Sequence, residues 1–97
     1  MDLKVQAVNF TADASLIDFV NGKVSKLNTF SDKIINCTAF MKVDKKATVN
    51  NKITEIKLHI PGKELFAKKQ CDSFEQATDE VVEAIRRQIK RYKGKAS

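Results

Sequence analysis

Apolar and polar residues alternate along three stretches of the chain with the two-residue period that is typical of half-buried strands. The stretches are 3–7, 35–43 and 53–60. Pro61-Gly62 then predicts a tight turn, after which residues 64–69 return as a fourth strand. The pattern therefore predicts a sheet of four strands with one apolar face.

Two longer stretches place apolar residues at three- and four-residue steps, the period of an amphipathic helix. Asp13 is typical of an N-cap, and the first helix is expected to extend from it to about Phe30. The second helix begins at Ser73, in a capping-box sequence, and is expected to continue to about Lys93. Its predicted apolar face consists of Phe74, Ala77, Val81, Ala84, Ile85, Gln88 and Tyr92.

The predicted element order, β-α-β-β-β-α, defines an α+β fold class. A four-stranded sheet and two amphipathic helices form a two-layer sandwich, with both helices packed on one face of the sheet. Because the first helix connects strands one and two by a crossover, those two strands are expected to be parallel. The chain of 97 residues is expected to form one domain, 1–97, with an ordered core of about 2–93 and a short basic tail, 94–97.

Composition and isolated reactive residues exclude several classes of protein. The chain contains no long apolar run, so a membrane-spanning helix and a signal peptide are not expected, and a cytoplasmic location is. Cys37 and Cys71 belong to no CxxC or Cys/His cluster, which favours two reduced thiols over a disulfide or a zinc site. His59 has no companion nucleophile or second ligand nearby in sequence, and no phosphate-loop or dinucleotide motif occurs. We therefore expect no enzyme activity, no metal and no cofactor.

The net positive charge of the chain lies at its C-terminal end. Lys and Arg number 18 against 12 Asp and Glu, and the residues before Arg86 balance to zero, so the last dozen residues carry the net charge of +6. The helix dipole and solubility would account for two or three of these cations, but not for six without an acidic neighbour. Arg86, Arg87 and Arg91 can bind phosphate through their forked guanidinium groups, while Lys90 and Lys93 act as point charges. This segment therefore predicts a polyanion-binding surface.

Four further lysines have structural alternatives. Lys23 and Lys26, at the edge of the first helix's apolar stripe, either contact RNA or extend over the core into water. Lys68 and Lys69 point to opposite faces of a strand, so at most one of them joins a given surface. Lysines on an edge strand also discourage aggregation, which is the alternative explanation of this pair.

A series of short motifs follows one order over nearly the whole chain. The motifs are Lys23, Lys26-Leu27, Pro61-Gly62, Leu65-Phe66-Ala67, Ser73-Phe74-Glu75-Gln76-Ala77 and Ile85-Arg86-Arg87-Gln88-Ile89-Lys90-Arg91-Tyr92-Lys93. Together they resemble the family of ribosome hibernation promoting factors and ribosome-associated inhibitors, in its short form. The chain departs from the family at Ser73-Phe74, where Asp-Met is usual, and at Lys68-Lys69, where small or acidic residues are common.

The resemblance implies a translation inhibitor, part of ribosome hibernation and the stress response, that acts by occupancy rather than by chemistry. The resemblance further implies binding to small-subunit rRNA in the decoding region, where the protein would sterically block tRNA and mRNA. The expected partner is therefore the small ribosomal subunit, with no membrane and no small-molecule substrate, and the free protein is expected to be monomeric. The expected RNA-binding residues are Lys23, Lys26, Lys68, Arg86, Arg87, Lys90, Arg91 and Lys93.

The alternative function is a regulatory protein–protein module that modulates the transcription machinery through the open face of the sheet. Phe40 and Phe66 fall on that face and are candidate platforms for base stacking. The favoured interpretation is that they pack against each other or against a helix end. Co-sedimentation with ribosomes would separate the two functions.

Overall fold

The computed structural model describes residues 1–96, and it describes the side chains of residues 1–92. The elements are β1 (Asp2–Ala7), α1 (Ala14–Ser25), a 3₁₀ turn (Lys26–Thr29), β2 (Asn36–Val43), β3 (Lys52–Ile60), β4 (Lys63–Cys71) and α2 (Phe74–Ala96). Their order and their two-layer arrangement confirm the predicted α+β class. The last helix continues to Ala96 rather than ending near Lys93.

The four strands follow the order β1-β2-β3-β4 across the sheet. β1 and β2 are parallel, as the crossover predicted, and the other neighbours are antiparallel. The two-residue turn between β3 and β4 places Gly62 at a φ of 78°, a left-handed conformation that glycine adopts without steric cost. One face of this sheet packs against both helices, and the other face is open.

Both helices begin at the predicted caps. The Asp13 carboxylate accepts the Leu16 N–H at 2.8 Å, and this hydrogen bond holds the pKa of Asp13 below its usual range. The Ser73 hydroxyl accepts the Gln76 N–H at 3.1 Å. The side chain of Gln76 turns to Glu80 at 3.1 Å instead of back to the cap, so α2 uses one half of the predicted capping box.

The first helix changes type before its predicted end. α1 stops at Ser25, and the chain tightens into the 3₁₀ turn. The Ser25 hydroxyl donates to the Gly22 carbonyl at 3.0 Å, and the Thr29 hydroxyl donates to the Lys26 carbonyl at 2.7 Å. Such side-chain bonds compete with the backbone bonds of an α-helix. The turn nevertheless keeps Leu27 fully buried, so the apolar stripe continues through it.

The hydrophobic core lies between the inner face of the sheet and the two helices. Its fully buried side chains come from all of these layers: Val20, Val24, Leu27, Cys37, Ala39, Met41, Ile56, Leu58, Ala77, Val81 and Ile85. A buried hydrogen bond of 3.3 Å joins the hydroxyls of Thr54 on β3 and Thr78 on α2. This bond satisfies two polar groups where the second helix crosses the sheet.

Two parts of the predicted core differ from the structure. Ile35 was expected on the apolar face of the second strand but is 53% exposed, and Ile34 is buried in its place at 5%. The strand begins only at Asn36, so the two-residue period does not extend back to Ile35. On α2, Ile89 is buried, whereas Gln88 is only half-buried.

We expect Cys37→Ser to cost about 1–3 kcal/mol of stability and Cys71→Ser clearly less. Both thiols are free and buried. Burial raises the pKa of Cys37 to about 12, so this thiol is a neutral core group. The Cys71 thiol lies 3.3 Å from a Glu80 carboxylate oxygen, and a serine hydroxyl there retains a hydrogen-bond acceptor. Urea denaturation of the two variants measures the difference, and equal losses would contradict this account.

Candidate RNA interface

On the exposed side of α2, acidic and basic residues occupy different halves of the helix. The first half carries the acidic residues Glu75, Asp79, Glu80 and Glu83, and the second half carries the basic residues Arg86, Arg87, Lys90 and Arg91. Acidic side chains near the N-terminus and basic side chains near the C-terminus both interact favourably with the helix dipole. We call the four basic residues the basic ridge. Lys93, also predicted to bind RNA, belongs to α2, but its side chain lies outside the described residues.

The packing of α2 holds the ridge in place. Ile85 and Ile89 are buried beneath it, so the neighbouring positions point outward. On the side of β4, the Gln88 side chain donates to the Phe66 carbonyl at 2.8 Å. Each ridge cation therefore projects from a helix whose rotation about its own axis is fixed, which reduces the conformational freedom lost on binding.

Arg86 is the most constrained member of the ridge. Its guanidinium forms a two-point ion pair with Glu83, in which the Nε–Oε2 distance is 3.0 Å. This pair holds the pKa of Glu83 below its usual range. The same guanidinium lies 5.7 Å from the ring centroid of Phe30, just after the 3₁₀ turn. The sequence placed Arg86 on the basic side but gave no sign that Phe30 lies against it.

The other ridge residues are directed to solvent. The Arg87 side chain is 67% exposed and approaches Glu83 only at 3.8 Å. Lys90 is exposed at the mouth of a hollow of about 180 Å³, which Phe30, Arg86 and Ile89 also line. Grooves thus accompany the ridge on the side of the 3₁₀ turn and on the side of β4.

The groove on the side of β4 adds a cation that the sequence did not single out. A hollow of about 210 Å³ is lined by Arg91 together with Lys63, Leu65, Gln88 and Tyr92. The Lys63 ammonium lies 5.9 Å from the centroid of the Tyr92 ring. Pro61-Gly62 reverses the chain just before Lys63, and the hairpin brings this lysine beside the end of α2.

The two lysines predicted near the end of the first helix differ in their surroundings. The Lys23 ammonium is 3.2 Å from the Asp79 carboxylate and 5.5 Å from the centroid of the Phe19 ring, so it is already paired within the protein. Lys26 is exposed in the 3₁₀ turn. The charge of Lys23 is therefore partly compensated by Asp79, whereas Lys26 is exposed to solvent.

Lys68 does not join the ridge. It is exposed on β4, in register with Glu55 on β3, and it faces the open side of the sheet rather than the helices. The alternation of β4 explains this placement, because Leu65 and Ala67 point to the core and Lys68 points the opposite way. Lys68 remains a predicted RNA contact, but one on a different face of the molecule.

The chemistry of this surface is electrostatic. Among the described residues, no cluster of three His, Cys, Asp or Glu side chains has the arrangement of a metal site. His59, considered for catalysis, lies on the open face of the sheet with Glu64 at 3.5 Å. Nor does any helix within residues 1–96 have the length and apolar character needed to cross a bilayer. The ridge offers forked and point cations suited to phosphate groups.

We expect Glu83→Gln to raise the affinity of the protein for polyanions about two- to fivefold. The substitution removes the negative charge within the ridge and releases Arg86, and each exposed charge contributes a few tenths to 1 kcal/mol. Fluorescence anisotropy with labelled polyuridylate at low salt measures the change. Asp18→Asn, which makes the same charge change in the first half of α1, is the control and should have a smaller effect. Equal gains in both variants would show that only net charge matters.

The fold and the ridge define a small α+β protein whose last helix presents its cations to solvent. The family described as "Sigma 54 modulation protein / S30EA ribosomal protein" matches residues 3–97. The match covers nearly the whole chain and indicates a ribosome-associated class of protein.

The chain belongs to the ribosome hibernation promoting factor family, as its sequence motifs predicted. It is 30% identical over 95 residues to the ribosome hibernation promoting factor of Klebsiella oxytoca, covering 98% of this chain and 96% of that protein. The factor of Pseudomonas putida is also 30% identical over 95 residues, covering 98% and 89% of the two chains. The family is a non-enzymatic one.

Solved structures show the same fold. A ribosomal subunit interface protein from Coxiella burnetii superposes with a TM-score of 0.85 at 18% identity, covering 97% of this chain and 99% of the other. The N-terminal domain of Protein Y from Thermus thermophilus gives a TM-score of 0.79 at 20% identity, covering 95% and 99%.

Proposed function

We propose that this protein binds small-subunit rRNA in the decoding region and keeps the ribosome idle by blocking tRNA and mRNA. The observation that carries the proposal is the basic ridge, which gathers exposed cations of a +6 chain on one helical face. The names of the relatives, ribosome hibernation promoting factors and a ribosomal subunit interface protein, support the ribosome as the partner.

The proposed mechanism is occupancy by a rigid body. Folded rRNA presents phosphates at fixed positions, and a helix anchored by Ile85 and Ile89 can hold its cations against them without reordering. Charge-assisted hydrogen bonds from guanidinium groups to phosphate are among the stronger polar contacts, so a few of them suffice for tight binding. The sandwich behind the ridge then fills space that tRNA and mRNA would otherwise occupy.

Each predicted contact residue has a distinct role in this proposal. Arg87 and Arg91 fork onto phosphate oxygens, and Lys90 contributes a point charge between them. Arg86 binds when it exchanges the Glu83 carboxylate for a phosphate, which an already aligned guanidinium can do. Lys26 extends the surface onto the 3₁₀ turn. Two further predicted contacts, Lys23 and Lys93, would extend it at its edges.

The proposed partner also sets the expected location and state of the protein. Ribosomes work in the cytoplasm, so a factor that acts on them is expected there. We expect the free protein to be monomeric, because the ridge repels a second copy of itself at low salt. Binding by occupancy requires no cofactor and no small-molecule substrate.

Competition with tRNA tests the proposal. In a purified translation system, inhibition by the protein should weaken as initiator tRNA and mRNA are raised, because the ligands exclude one another. Arg87→Ala with Arg91→Ala should inhibit much less than wild type, whereas Lys4→Ala with Lys33→Ala, which removes equal charge elsewhere, should inhibit normally. Inhibition that does not change with the concentrations of tRNA and mRNA would contradict the proposed site.

The family description, which also includes sigma 54 modulation, favours a second candidate function. A protein–protein module would use the open face of the sheet, where Phe66 is 49% exposed. If the protein acts through this face, Phe66→Ser should weaken binding to a transcription factor but leave ribosome binding unchanged. Normal ribosome binding combined with no affinity for a sigma factor would exclude this alternative.

A further inference from the structure

A second cationic site lies on the open face of the sheet. An open hollow of about 480 Å³ is lined by the loop after β1, by β2 and the loop that follows it, and by β3 and β4. Its lining includes Lys42, Lys45, Lys46 and Lys68.

The hollow is remote from the basic ridge. The register aligns Lys42, Ile53 and Gln70 in one row across the sheet, near the ends of β2 and β4. At that end of the sheet β4 leads into the start of α2, and the Asp72 carboxylate accepts the Asn50 N–H at 2.8 Å. The ridge occupies the second half of α2 on the helical side, so the two surfaces cannot contact the same phosphate.

Most of the positive charge in the hollow is uncompensated. Lys42 pairs with Glu55 at 3.2 Å. Among the side chains that the structure describes, no carboxylate lies within ion-pair distance of Lys45, Lys46 or Lys68. Lys45 and Lys68 are therefore available to a ligand, and the charge of Lys46 is only partly compensated, through its longer-range interaction with Asp44.

The acid that lines the hollow is already engaged. The Asp44 carboxylate accepts the Gln70 side-chain amide at 3.0 Å and the Lys46 N–H at 3.0 Å. These bonds, led by the one from Gln70, hold the pKa of Asp44 below its usual range. Asp44 therefore shapes the loop that carries Lys45 and Lys46 and does not form a close ion pair with either ammonium group.

The shape and lining of the hollow indicate what it can bind. Like charges around a concavity focus the electric field and attract an anion. Val8 and Val43, which are only half-buried, also line the hollow and add apolar surface beside the lysines. An anion with a flat organic group uses both features, whereas inorganic phosphate uses only the first.

We propose that this hollow binds a nucleotide, with its phosphate on Lys45, Lys46 and Lys68 and its base against Val8 and Val43. The nucleotide is either a unit of an RNA strand or a free nucleoside polyphosphate, since both present the same groups. The proposal does not rest on the ribosomal function of the ridge, because no ridge residue lines the hollow. It gives Lys68, which the fold separates from the ridge, a binding role of its own.

The test is an amide-detected NMR titration of the full chain with three probes: inorganic phosphate, ATP and a single-stranded tetra-adenylate. We expect saturable shifts of the signals of Asn9 and residues 44–47 with both nucleotide probes, and weaker binding of inorganic phosphate. Lys45→Gln with Lys46→Gln should raise the dissociation constant at these signals about tenfold, by loss of two charge contacts. Lys4→Gln with Lys33→Gln, a matched loss of charge elsewhere, should leave it unchanged.

The titration separates this site from the ridge, because the amides of α2 report the ridge independently. Tighter binding of tetra-adenylate would identify an RNA strand as the ligand, and tighter binding of ATP would identify a free nucleotide. The absence of saturable shifts around the hollow would overturn the proposal. Equal weakening in the two lysine pairs, in a chain whose spectrum shows it folded, would overturn it as well.

Discussion

Arg87→Glu combined with Arg91→Glu should reduce the affinity for the small ribosomal subunit by at least about a hundredfold and leave the protein folded. Each reversal removes a phosphate contact, loses the counterions that this contact releases, and adds a repulsive charge. Stability should change by only about 0.5 kcal/mol per site, because both positions are exposed. Filter binding and thermal denaturation measure the two effects.

The loss should depend on position and not on net charge. Lys4→Glu with Lys33→Glu changes the charge of the chain by the same amount at two exposed sites that are not part of the ridge. This control should retain affinity within a few-fold of wild type at moderate salt, because it removes no ridge cation and salt screens the exposed charges that it adds. Wild-type affinity in the folded ridge variant would show that α2 is not the contact surface.

Affinity for the subunit should also fall about a hundredfold between 0.1 and 0.3 M monovalent salt. With about five phosphate contacts, log K against log salt has a slope of roughly −3.5 to −4.5, between single-strand and duplex scaling. Replacing Arg87 and Arg91 by glutamine should make this slope shallower by about 1.5. A flat dependence would indicate an interface governed by apolar burial, as a protein–protein module would have.

Most of the fold could be predicted from the sequence because apolar residues recur at a regular spacing wherever a strand or helix packs against the core. Ile56, Leu58 and Ile60 alternate with polar positions, and the structure buries all three. The predicted end of the first helix and the predicted burial of Ile35 were wrong. α1 ends at Ser25, where the hydroxyls of Ser25 and Thr29 bond to backbone carbonyls, and the late start of β2 leaves Ile35 exposed.

The electrostatic state of the surface was harder to predict than its location. The basic segment was evident from composition, but charge counting treats Arg86 and Arg87 as equivalent. The structure binds Arg86 to Glu83 and Phe30 and leaves Arg87 exposed, so the expectation that the six cations have no acidic neighbour was wrong for Arg86. The three-residue spacing from Glu83 to Arg86 could have indicated the ion pair.

Contacts between distant segments gave no signal in the sequence at all. Lys23 meets Asp79, and Lys63 meets Tyr92, across gaps that only the tertiary fold closes. The same holds for the lysine hollow, whose members come from three strands and loops. Sequence patterns predict which face a residue occupies, but not which residues of other elements face it.

Chemical probing of small-subunit rRNA tests the central proposal most directly. With saturating wild-type protein, nucleotides of the decoding region should become protected, and the Arg87→Glu, Arg91→Glu variant at the same concentration should leave them reactive. Lys4→Glu with Lys33→Glu should protect them as wild type does. Protection confined to another region of the subunit, or no protection while the protein still inhibits translation, would contradict the account.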